Sequence, residues 1–276
     1  MSAFNGLTIK TLPGSQGRVT QAIASASQRT GVDFKYLMGQ AQIESAMDPN
    51  ARARTSSATG LYQFIDQSWL AIVNDHGAKH GVDWAANAIQ RGSNGRYFVA
   101  DPNMRQQILE LRNHPETASA MAAELATDNR NFLEERTGRT AEPVDLYLAH
   151  FLGAGGAAKF LTTMAQNPET SAAALFPSAA RANASVFYDG QGNARSLADV
   201  RSNFERKLSN GVQSAGLNAS GMSSGAQTVQ PADYVRIEHE RLSMSQSLAE
   251  KQPYPEFAPR PETARLAYLM LATFGR

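Results

Sequence analysis

Residues 33–64 read DFKYLMGQAQIESAMDPNARARTSSATGLYQF, and the way this stretch divides decides the fold. Asp33 has the form of a helix N-cap, and Phe34, Leu37, Met38, Ala41 and Ser45 follow at the spacing of one helix face. The helix stops near Met47, because Asp48-Pro49 follows and the residue before a proline is pushed out of the helical region. A polar loop, DPNARARTSSATG, fills 48–60. Leu61-Tyr62-Gln63-Phe64-Ile65 then leads into a helix capped by Asp66 and carrying Trp69, Ile72 and Val73. Glu44 is the anomaly. It falls within a quarter-turn of Leu37 and Ala41 on the helical wheel, yet glutamate is almost never buried without a partner. Burial and the negative partial charge of a helix C-terminus both disfavour the charged form. The expectation is a carboxyl that keeps its proton and can hand it to a glycosidic oxygen. The competing expectation is an ion pair between Glu44 and Arg52 or Arg54.

Working outward, Val19, Ile23 and Ala24 mark a helix over 15–30, closed by Gly31. Pro115 sits at the first turn of a long helix whose face carries Ala118, Met121, Ala122, Leu125, Phe132 and Leu133. Pro143 opens the most apolar helix, Val144 to Leu152, expected to be buried at the centre and to end at Gly153. Residues 81–113 read as irregular, and 186–196, VFYDGQGNARS, as a small hairpin. The fold class expected is mainly α: packed helices with at most a small β-hairpin, over residues 15–208. A polar lead-in covers 1–14. Residues 209–232 carry no charge and no aromatic ring, the composition of a flexible linker. A helical segment covers 233–276, where Leu266, Leu269, Met270 and Phe274 form an apolar stripe.

Composition removes several classes of function. The chain has 276 residues, 26 Lys+Arg against 25 Asp+Glu, a net charge of +1 and no cysteine. The even charge balance gives no support to a nucleic-acid or anionic-membrane partner, because both need concentrated basic surface. Without cysteine there is no disulfide, thiolate metal site, iron–sulfur cluster or cysteine nucleophile. No apolar run reaches the roughly 18 residues of a membrane span. His76 and His80 are four apart, but HGAKH lacks the glutamate of a metalloprotease motif, so no metal and no cofactor is expected. Gly153-Ala154-Gly155-Gly156 follows a helix rather than a strand, and reads as a tight helix–helix turn, not a dinucleotide fingerprint.

Three ordered blocks resemble the soluble lytic transglycosylases of bacterial cell walls, a family of the lysozyme-like superfamily. The first is Ile43-Glu44-Ser45-Ala46 with Asp48-Pro49-Asn50-Ala51. The second is Ser56-Ser57-Ala58-Thr59-Gly60-Leu61-Tyr62-Gln63-Phe64, similar to the family's Gly-Leu-Met-Gln block with Tyr62 in place of Met. The third is Ala149-His150-Phe151-Leu152-Gly153-Ala154-Gly155, where the family has Ala-Tyr-Asn-Ala-Gly-Pro-Gly. The resemblance implies a lysozyme-like catalytic domain that cleaves the β-1,4 bond between N-acetylmuramic acid and N-acetylglucosamine and forms 1,6-anhydro-N-acetylmuramic acid. Glu44 is implied as general acid, then base. Gln63 and Ser56 would hydrogen-bond the acetamido group or orient the acid, with Thr55 and Ser57 as alternatives to Ser56. Tyr62 and Phe64 would form apolar walls that stack on sugar rings. Either His150 or Tyr147 would contact the catalytic carboxyl.

Two other readings stand beside this one. A hydrolase of goose-lysozyme type needs a second carboxylate to activate water, for which Asp48, Asp66, Asp128 and Asp145 are available. A wall-binding module would keep the fold without catalysis. The start, MSAFNGLTIKTLPGSQG, lacks the basic and apolar regions of a secretory signal peptide. Action on peptidoglycan in the periplasm would then require delivery by an envelope-spanning machine, flagellar, secretory or phage-derived, with 233–276 as the docking or export element.

Overall fold

The computed structural model describes residues 15–54 and 56–217. The lead-in at 1–14, Thr55, linker residues 218–232 and the segment 233–276 with its apolar stripe lie outside them. The described chain is built from helices and one tiny sheet. Helix α1 (Ser15–Thr30) is followed by α2 (Phe34–Ser45), α3 (Asp66–His76) and α4 (Asp83–Ala88). Strands β1 (Gln90–Arg91) and β2 (Tyr97–Phe98) pair antiparallel. Then come α5 (Pro102–Glu110), α6 (Pro115–Thr137), α7 (Pro143–Gln166), three short helices α8 (Ala172–Leu175), α9 (Pro177–Ala182) and α10 (Ala184–Phe187), and finally α11 (Leu197–Ser214).

Local chemistry sets the boundaries. The Asp33 carboxylate accepts from the Tyr36 N–H at 2.8 Å and starts α2. Prolines open α5, α6 and α7 at the first turn, where the missing N–H costs nothing. Helix α7 is buried on most of its surface from Val144 to Leu152, as its uniform apolarity implies. Helix α1 lies along α6, and α2 lies along α11, with α7 against both α6 and α11. The α2–α11 crossing is tight. A Cβ on Gly211 would stand 2.8 Å from the Gly39 carbonyl oxygen, and one on Gly39 2.8 Å from Val212 Cγ2.

The helix opened by Pro143 breaks at Gly153 as expected, where φ is 71° and ψ 158°, and a second helical stretch of α7 runs on to Gln166. Three expectations are corrected. The sheet forms at 90–98 rather than 186–196, where Val186 and Phe187 are helical and a single bridge, Tyr188 to Ala194, closes the turn. Asp66 is not the cap of α3 but its first residue, after an extended Ile65, and its carboxylate is engaged by arginines. Residues 209–217 are not linker. They complete α11, and Gly211, Val212, Ala215 and Leu217 are buried. The domain boundary therefore lies beyond 208.

Candidate active site

Glu44 occupies the last turn of α2 and is only 5% exposed. Its Oε1 lies 3.4 Å from His150 Nε2, while its buried Oε2 has no hydrogen-bond partner among the described residues. A buried carboxyl oxygen left open in this way is costly unless a ligand uses it. Tyr147 lies beside the same carboxyl. Burial first, then the charge of Glu44, the neighbouring Tyr36 and the approach of the Glu44 side chain hold Tyr147 well above the usual tyrosine range. Tyr147 and His150, one helical turn apart on α7, stack at 6.1 Å between ring centroids. The sequence left these two as alternatives; the structure brings both to the acid. The arginine alternative is not what forms, since Arg52 faces Glu110 at 4.0 Å.

The chain makes a sharp exit after the acid. Ala46 and Met47 both have positive φ, 53° and 66°, and Gln63 has φ 50°. Among the described residues these are the non-glycine positions with left-handed backbone, a conformation that costs free energy for L-residues and clusters at functional sites. All three border the acid or its loop. Ser45, next to Glu44, donates its hydroxyl to the Leu61 carbonyl at 2.8 Å and so ties the 61–64 motif to the end of α2.

The loop itself is stitched by its own groups. Gln63 Nε2 donates to the Ala51 and Gly60 carbonyls at 3.1 and 2.9 Å, and the Gly60 N–H donates to Ala51 at 2.8 Å. Gln63 therefore spends its amide protons on the loop. Arg112 clamps the loop from behind: its Nη1 reaches the Ser57 and Phe64 carbonyls at 2.8 and 2.9 Å and Asp66 Oδ1 at 3.0 Å. Burial depresses the Arg112 guanidinium, and Asp66 partly restores it. Ser57 Oγ accepts from the Asp66 N–H and Ser56 Oγ from the Ala58 N–H. Neither Ser56 nor Gln63 makes a hydrogen bond to Glu44.

Tyr62 and Phe64 are placed inside the protein. Tyr62 is 1% exposed, and Phe64 packs edge-on against Trp69 at 5.3 Å. Both rings are buried and offer no open face to a sugar here. Tyr36, two turns before Glu44 on α2, lies near both Tyr62 and the acid; burial first, then these two neighbours, raises its pKa. Burial likewise raises Tyr62, with a contact to Ser119 working the other way. All three tyrosines thus stay neutral.

Sequence reasoning missed Tyr36, Arg112 and Lys207. Tyr36 was readable from the wheel, since eight residues bring it back to the side of Glu44. Nothing in an irregular stretch marks Arg112, and nothing marks one lysine on α11. The aspartates available to a hydrolase are engaged elsewhere. Asp66 pairs with Arg105 and Arg112, Asp128 with His76, and the fully buried Asp145 with Arg139 and Arg201. Asp48 is exposed and accepts from the Asn50 N–H. His76, Lys79 and His80 converge on Glu124. Among the described residues no group of three or more side chains is arranged to hold a metal ion, and no helix is long and apolar enough to cross a membrane.

A comparison with known families matches residues 21–88 to the transglycosylase SLT domain. The matched segment contains α2 with Glu44, the whole stitched loop and α3. Its function is in general of the transglycosylase type acting on peptidoglycan, that is, on the cell wall. His150 and Tyr147 come to the acid from α7, beyond the match.

Proposed function

With residues 21–88 belonging to the transglycosylase SLT domain family, we propose that the protein is a lytic transglycosylase that cleaves the β-1,4 bond between N-acetylmuramic acid and N-acetylglucosamine, with Glu44 as the acid and then the base. The observation that carries this reading is Glu44 itself: a buried carboxyl, oriented by Tyr147 and His150, with one oxygen left for a ligand.

In this scheme Glu44 gives its proton to the bridging oxygen as the bond from that oxygen to C1 of the muramic sugar breaks. The substrate's N-acetyl oxygen closes onto C1 and takes up the developing positive charge. Substrate assistance of this kind needs no second enzyme carboxylate, in keeping with the engagement of Asp66, Asp128 and Asp145 elsewhere. The Glu44 carboxylate then removes the 6-hydroxyl proton, O6 bonds to C1, the acetamido group is restored and the 1,6-anhydro ring is closed. Glu44 is again an acid, and no water is consumed. Ser56 is the loop hydroxyl assigned to the acetamido group. Gln63 acts through the loop that it holds together, and Tyr62 and Phe64 keep the acid dry from behind. The protein acts on glycan strands in the periplasm.

The test is Glu44→Gln, which keeps the shape and removes the transferable proton. Purified murein sacculi should be lysed at least about a thousandfold more slowly, since the proton transfer step has no substitute. A Glu44→Gln protein that lyses sacculi at the original rate removes this carboxyl from the mechanism.

A further inference from the structure

Lys207 on α11 has no role in the scheme so far. We infer that it is a positioning residue whose ammonium charge stabilises the Glu44 carboxylate formed as the sugar bond breaks; the inference rests on the reading of Glu44 given above. Helices α2 and α11 touch backbone to backbone where Gly39 meets Gly211, one turn beyond Lys207 on α11. The Lys207 Nζ stands 5.7 Å from the centre of the Tyr147 ring, over its face. That ring is held edge-on by Phe204 at 5.4 Å and lies beside Glu44. Lys207 is half-buried. Its burial disfavours the ammonium, and the charge of Glu44 favours it.

No carboxylate lies within 4 Å of Nζ among the described residues. A cation partly withdrawn from water needs an anion nearby, and here the anion arises during the reaction. The titratable groups around Glu44 are Tyr36 on its own helix, with Tyr62 beside Tyr36, Tyr147 and His150 from α7, and Lys207 from α11. The tyrosines are held neutral, and His150 carries charge only when protonated. Lys207 therefore supplies the standing positive charge. Such a charge stabilises the carboxylate formed when the proton has passed to the bridging oxygen.

Lysis of murein sacculi by the full-length protein, followed from about pH 4 to pH 9 to bracket the carboxyl and imidazole transitions, tests this. Lys207→Met should lower the rate on the acid side roughly three- to tenfold and move the alkaline limb up by roughly half to one pH unit. Lys207→Arg should restore both. The same displacement should appear in a His150→Gln background, because the other conditional cation is then absent. Lys207→Gln gives the same readout should the methionine variant fold poorly. A uniform loss at every pH, with the limb in place, overturns the inference and leaves Lys207 a packing residue. Should Glu44→Gln abolish lysis while Lys207→Met leaves the profile untouched, this inference alone fails. Should Glu44→Gln remain active, the reading of the acid fails and takes this inference with it.

Discussion

Gly60→Ala should unclamp the loop that carries the site. Gly60 has φ +83°, and a Cβ added there would stand 2.0 Å from the Arg112 carbonyl oxygen and 2.8 Å from its carbon. Ordinary heavy-atom contact is about 3.5 Å, so the two segments would have to separate by about 1.5 Å. The same Arg112 holds the Ser57 and Phe64 carbonyls and Asp66, so separation would strain those bonds. An L-residue in left-handed backbone costs about 1–2 kcal/mol, and forced movement in a packed site adds about 1–3 kcal/mol. Taking about 3 kcal/mol in total, the melting temperature should fall by about 6–12 °C for a domain of this size. Gly138→Ala is the matched control: φ is +68° and nothing lies within 4 Å of the added atom, so only the backbone cost applies. Calorimetric melting of both variants, with sacculus lysis measured below the transition, separates the terms. Gly60→Ala should also lose lytic rate, because Gln63 and the Ser45–Leu61 bond move with the loop. A Gly60→Ala protein that melts no lower than Gly138→Ala and lyses normally refutes the clamp.

Two further outcomes follow from the same structure. Tyr147→Phe removes the hydroxyl that lies beside Glu44; a hydrogen bond made there to a charged group contributes about 1.5–3 kcal/mol, so initial lysis rates should fall roughly ten- to hundredfold, and an unchanged rate would leave His150 alone as the orienting group. Glu124 is buried among Lys79, His76 and His80; its burial raises the pKa, but the hydrogen bonds and charges of these partners prevail and hold it below its ordinary 4.5. A depressed carboxyl stabilises the fold above its unfolded pKa and loses that contribution as pH falls through the folded value. Chemical denaturation should thus find Glu124→Gln less stable than the original protein at pH 7, with the gap shrinking below about pH 4.5; a gap independent of pH contradicts the ion-pair account.

The helices that carry the acid were legible because their signals are local. Asp33 caps α2 through one hydrogen bond to Tyr36, and Pro115 and Pro143 open their helices as their fixed φ requires. The hairpin was not legible, because strands of two residues, Gln90–Arg91 and Tyr97–Phe98, are too short to show alternation. They hold because the Gln67 side chain hydrogen-bonds both the N–H and the carbonyl of Tyr97. The end of α11 was misread for a related reason. SNGVQSAGL looks like linker by composition, but Gly211 is the contact that lets α11 approach Gly39, a fact of tertiary packing. At the site, the burial of Glu44 was readable from the wheel, whereas its surroundings were assembled by long-range contacts. His150, Tyr147 and Lys207 come from more than 100 residues downstream, and the Arg112 clamp acts on carbonyl groups that no side-chain pattern reveals.

The central claim is that Glu44 serves as both acid and base without water entering the reaction. Mass spectrometry of the fragments released from purified sacculi tests it most directly. The account predicts 1,6-anhydromuramyl ends, with no oxygen-18 incorporated when the digestion is run in labelled water. Reducing muramic ends carrying the label would contradict it and make the protein a hydrolase.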